Sequence, residues 1–73
     1  MISNNQLMIG DWLLNESDHC YYLIHNCPGP EALRTTSWTI PKHKTEFTVC
    51  CSNCRKTSPP MLTTYRMLKD AEN

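Results

Sequence analysis

Two cysteines separated by two residues, Cys51-Ser-Asn-Cys54, sit in a chain of only 73 residues. That length is near the lower limit for a domain that folds on its apolar core alone. Hydrophobic residues make up 40% of the chain and aromatic residues 8%, too little large side chain for a deep interior. A staple is therefore expected: a metal, a disulfide or a partner. The chain holds five cysteines, so complete disulfide pairing would leave one thiol over. The stretch 1–16 has no basic segment ahead of its apolar residues, and Gly10 and Asp11 interrupt the run. It does not read as a secretory signal. Nothing approaches the roughly 20 apolar residues of a membrane span. A cytoplasmic protein with no membrane association is expected, and the cytosol keeps thiols reduced. The cysteines thus read as metal ligands before they read as disulfides.

The rest of the chain supplies the elements that would carry them. Leu7–Ile9 and Trp12–Leu14 are apolar, Asn15–Asp18 is turn chemistry, and residues 19–26 are rich in Tyr and Ile. Residues 7–14 and 19–26 are expected to pair as a β-hairpin. Pro28, Gly29 and Pro30 force a loop. Residues 35–40 and 45–50 suggest a second hairpin across 35–50, with Pro41 at position i+1 of the turn at 41–44. In its last arm Glu46, Thr48 and Cys50 face one way, and Phe47, Val49 and Cys51 the other. Ser58 ahead of Pro59 and Pro60 reads as a helix cap. Tyr65 and Leu68, with Met61 or Leu62, form an apolar stripe, so residues 59–71 are expected to be a short docked helix. The fold class is a small β-rich α+β domain, two β-hairpins stapled by one metal plus a C-terminal helix.

Cys51 and Cys54 have the spacing at which two thiolates grip one tetrahedral ion, with backbone N–H groups of the intervening turn donating to sulfur. A structural zinc takes four N or S ligands. His25 and Cys27 are the upstream pair, because positions i and i+2 of a strand face the same way. The set His25, Cys27, Cys51 and Cys54 would close the site around one Zn2+ per chain. Cys20 is an alternative to His25 and Cys50 to Cys51, while His19 and His43 are possible fourth ligands. A redox CxxC would need a helix directly after its first cysteine, whereas the helix signal here begins only near Pro59.

The stretch "VCCSNCRK" resembles the strand-then-CxxC knuckle of zinc ribbons, and the resemblance covers roughly residues 25–56. The first knuckle departs from the family, being HxC ("HNC") where a ribbon has CxxC. The resemblance implies two knuckles joined by a hairpin and sharing one zinc, inside a single domain spanning 1–73. That domain would comprise a hairpin at 7–26, a ribbon-like zinc unit at 25–56 and a helix at 59–71.

Enzymatic chemistry finds little footing. The only glycines are Gly10 and Gly29, so no phosphate-cradling loop exists. The carboxylates are scattered rather than paired. A non-enzymatic adaptor or regulator acting by protein–protein interaction is expected, in transcription or another nucleic-acid process, the setting the ribbon resemblance suggests. Its aromatics are natural interface anchors.

A second expectation is nucleic-acid binding. The net charge is zero, but residues 1–31 carry Asp11, Glu16, Asp18 and Glu31 with no Lys or Arg. The basic residues all fall between Arg34 and Lys69, where the sole acid is Glu46. Lys42, Lys44, Arg55 and Lys56 could face phosphates, with Trp38 or His43 stacking on a base. The opposing reading is that the two charge groups meet inside the fold. A third expectation is an inhibitor, encoded by a virus or mobile element, that docks on a host protein.

Overall fold

The computed structural model describes residues 5–27 and 35–72. The loop expected at 28–30 lies outside them, as does Arg34. Strand β1 (Gln6–Ile9), β2 (Trp12–Glu16), β3 (Cys20–Asn26) and β4 (Thr35–Pro41) form one antiparallel sheet in the order β1-β2-β3-β4, followed by helix α1 (Met61–Glu72). This is the expected class, a β-rich sheet of antiparallel hairpins with a C-terminal helix. The strand boundaries differ from the sequence reading, most of all in two places.

Residues 7–14 are not one strand. They fold back on themselves as the β1–β2 hairpin, with Ile9 opposite Trp12 and only Gly10 and Asp11 between them. Gly10 has φ 61° and Asp11 is not in the positive-φ region. A glycine at the first of two loop positions is the signature of a II′ turn, whose twist suits an antiparallel hairpin. The next turn is at 17–19 rather than the expected 15–18, because Asn15 and Glu16 stay in β2: Ser17 Oγ donates to the Cys20 carbonyl at 2.8 Å and accepts the Cys20 N–H at 3.2 Å.

The second difference is at 45–50. β4 pairs along its whole length with β3, and no strand forms over 45–50, where the only ladder contact is the Cys50–Thr57 bridge. Arg66 of α1 explains this. Its guanidinium donates to the carbonyls of Thr45, Lys42 and Lys44 at 2.9, 3.3 and 2.6 Å. A returning hairpin arm would have to share the backbone of this turn, and the helix holds it instead. The turn itself is closed by Lys44 N–H donating to the Pro41 carbonyl at 3.2 Å, so Pro41 sits at position i rather than i+1. The expected alternation survives without the ladder: Phe47 and Val49 pack on the core, Cys51 is buried, and Thr48 and Cys50 are exposed.

The pairing register puts Leu7, Leu14, Leu23 and Trp38 in one row on the inner face. Ile9, Trp12 and His25 form the next row, and Tyr21 and Ile40 a third. Met61, Leu62 and Tyr65 of α1 are buried against this face, with Leu68 at the margin. Tyr65 also donates its hydroxyl to Glu16 Oε1 at 2.6 Å. The other face carries Met8, Leu13, Ile24 and Ser37 in a row, with Tyr22 beside it.

Candidate metal centre

His25 lies near the end of β3 on the inner face, and Cys27 follows two residues later on the same side. Both are buried, His25 completely. The 51–55 turn folds over them. Arg55 N–H donates to the Cys51 carbonyl at 2.7 Å, and Cys51 N–H donates to the Lys56 carbonyl at 2.8 Å, closing a tight loop around Cys51 and Cys54. Arg55 takes φ 61° to complete the reversal.

The ligand atoms of His25, Cys27, Cys51 and Cys54 all lie within 4.8 Å of one another. Cys27 Sγ is 3.4 Å from Cys51 Sγ and 3.6 Å from His25 Nδ1, and Cys54 Sγ is 4.0 Å from each ring nitrogen. Metal–sulfur bonds of about 2.3 Å and metal–nitrogen bonds of about 2.0 Å at tetrahedral angles give edges of about 3.8 Å (S–S) and about 3.5 Å (S–N). The four side chains therefore fit a single four-coordinate ion with modest adjustment. Among the described residues this is the one group of its kind. Of the alternative ligands, His19, His43 and Cys50 are exposed, and Cys20 is half-buried at the start of β3; all four stand outside the group.

The electrostatics favour a bound cation. The Cys51 thiol is pushed down to about 6, first because the Cys54 backbone N–H donates to its sulfur, with a further donor from Asn53. Cys27 is pushed up to about 11, mainly because burial disfavours its thiolate and then because the Cys51 and Cys54 sulfurs crowd it. A cation among the sulfurs would offset the burial that disfavours the Cys27 thiolate.

Two residues that the sequence did not single out for the site complete its surroundings. Trp12 stacks on the His25 ring at a centroid distance of 4.0 Å, with Trp38 behind it at 6.0 Å. Asp11, in the β1–β2 turn, places Oδ2 2.9 Å from His25 Nε2 and 3.5 Å from Lys56 Nζ. Burial pushes the Asp11 carboxyl up, but the His25 hydrogen bond, its own backbone and Lys56 outweigh this and hold it below its ordinary value. The sequence signal was the Gly10-Asp11 pair between apolar residues, a two-residue turn that would carry Asp11 to a strand end.

The basic residues fall into two groups, the larger of which brings Lys42, Lys44 and Arg66 to the turn after β4. Lys42 pairs with Glu16 at 2.7 Å and lies over the Tyr21 ring at 4.7 Å. His43 and Lys44 are exposed in the same turn. Lys56 lies beside Asp11, at the opposite end of β2 from Glu16. The Lys56–Asp11 and Lys42–Glu16 pairs thus stand at opposite ends of β2. Trp38 is half-buried on the inner face. In comparisons with known proteins, no family model, no curated protein and no solved structure matches the chain.

Proposed function

We propose that the chain is a small non-enzymatic domain, stapled by one zinc ion, that docks on another protein through the uncharged outer face of its sheet. Three thiolates and an imidazole are the donor set that zinc prefers for structural work. With all four positions taken by protein, no place remains for water or substrate. The ribbon-like second knuckle is consistent with a regulatory setting near a nucleic-acid machine.

One observation carries the docking role. The outer face presents Met8 and Tyr22, 67% and 41% exposed, with Leu13 and Ile24 between them. Of its other strand positions Gln6, Asn15, Asn26, Thr35, Ser37 and Thr39 are polar, Cys20 and Pro41 complete the face, and none is charged. A flexible thioether and an aromatic ring on a neutral surface suit an interface centre, from which charge is usually depleted. Against nucleic acid stand the internal uses of the cations: Lys42 on Glu16, Lys56 on Asp11, and Arg66 on three carbonyls.

The test compares the wild type with a Met8→Glu/Tyr22→Glu variant that is folded and metal-loaded. Capture of a defined protein, resistant to raised salt and lost in this variant, supports the reading. Retention of polynucleotide that falls steeply with salt and disappears on neutralising Lys42, Lys44, Arg55 and Lys56 would replace it with the nucleic-acid reading.

A further inference from the structure

We propose that Asp11 is a positioning residue of the metal centre, selecting Nδ1 of His25 as the ligand atom and tying the β1–β2 turn into the site. The inference rests on reading His25, Cys27, Cys51 and Cys54 as metal ligands. A neutral imidazole can offer either nitrogen, and the one left bare is set by the hydrogen bond the other makes. Cys54 does not choose between them, being 4.0 Å from both. Asp11 does. Its carboxylate can only accept, so at 2.9 Å from Nε2 it places the ring hydrogen there and leaves the Nδ1 lone pair facing Cys27 at 3.6 Å.

The clamp is held at several points. The Asp11 carbonyl accepts the Asn26 N–H at 3.1 Å, so the turn is fixed to β3 one residue beyond His25. Trp12, the next residue, lies flat on the imidazole and sets its plane. Lys56, two residues past Cys54, reaches the same carboxylate at 3.5 Å. Asp11 therefore touches the surroundings of both ligand pairs while ligating nothing. Such outer partners raise the basicity of the ligand and fix its orientation.

The experiment uses the full chain with Asp11→Ala and Asp11→Asn, loaded with zinc. Zinc affinity is measured by chelator competition, and the His25 ring nitrogens are followed by 15N NMR. The wild type is expected to coordinate through Nδ1 with Nε2 protonated. Asp11→Ala should weaken zinc binding by about 10- to 100-fold. Asp11→Asn, whose amide oxygen can still accept from Nε2, should keep Nδ1 coordination, recover most of the affinity and shift the Nε2–H resonance. Coordination through Nε2 in the wild type, or wild-type affinity in Asp11→Ala, overturns the proposal. Should Asp11→Ala not fold, Asp11→Asn decides, and an unshifted Nε2–H resonance overturns it. Zinc uptake that ignores Asp11 defeats the positioning role alone, whereas a wild type that takes up no zinc defeats the metal reading itself.

Discussion

Arg55 holds a backbone conformation that its own side chain disfavours. At φ 61° its Cβ crowds the backbone, at a cost of about 1–2 kcal/mol for a residue other than glycine. The conformation persists because the turn over Cys51 needs it: the Arg55 N–H must reach the Cys51 carbonyl. Arg55→Gly should therefore leave metal binding intact and hold or raise the melting temperature, relief of the steric cost offsetting glycine's extra unfolded-state entropy. Arg55→Val removes the same charge but adds a β-branch, and should lose about 1–2 kcal/mol relative to the glycine variant. Urea melts of the two metal-loaded variants check this, and equal midpoints would mean that the turn does not constrain the fold. At this scale the four candidate ligands were readable, because each pair is a local pattern: i, i+2 on a strand and CxxC in a turn. Asp11 was not readable as their partner, since its distance from His25 is set by a fold-back that brings together residues 14 apart in sequence.

Helix α1 begins without a cap of its own. Pro60 accepts the first helical bond, from Thr64 N–H at 3.1 Å, and has no side-chain acceptor to offer the next donors. Ser58, the cap expected from sequence, is engaged with the Val49 N–H at 2.9 Å. Glu46 supplies the missing acceptor from 16 residues away, taking the Leu62 and Thr63 N–H groups at 3.3 and 3.1 Å. Burial pushes the Glu46 carboxyl up, but Thr63 and the backbone donors of Phe47, Thr63 and Leu62 bring it below its ordinary value. Glu46→Ala should cost about 1 kcal/mol at neutral pH. A carboxyl depressed in the folded state contributes fully above the unfolded value and loses its contribution as pH falls through the folded one. The gap between wild type and variant should then begin to narrow as pH falls past about 4.3 and close only below the lower, folded value. Subtracting two melting series that share the same metal centre isolates this effect, and a gap independent of pH would remove the charged cap from the account. The same remote contact shows why elements were less legible than ligands. Strand-favouring composition located β3 and β4, and apolar periodicity the helix stripe, but whether 45–50 became a strand depended on Arg66 and Glu46 tying that segment to a helix not yet formed in any local reading.

Across the whole molecule one continuous core packs on the inner face of the sheet, and it has two chemically different ends. Leu14, Leu23, Ile40, Met61, Leu62 and Tyr65 form the apolar one. Trp12, His25, Cys27 and Cys51 form the other, and its buried members are suited less to each other than to an ion between them. Leaving several thiols and an imidazole crowded without a cation carries a desolvation cost that ligation removes. The ends are joined by β2 and β3, which run through both, so loosening one should loosen the other. The charge halves of the sequence are joined in the same way, with Glu16 meeting Lys42 and Asp11 meeting Lys56. Chelator added to the metal-loaded protein should therefore abolish sheet and helix together. Far-ultraviolet circular dichroism and the tryptophan fluorescence, to which Trp12 on His25 and Trp38 behind it both contribute, should follow a single transition, reversed on adding zinc. If the dichroism is retained while only the tryptophan signal moves, the apolar end folds by itself. The ion would then shape the 51–55 turn without holding the domain together.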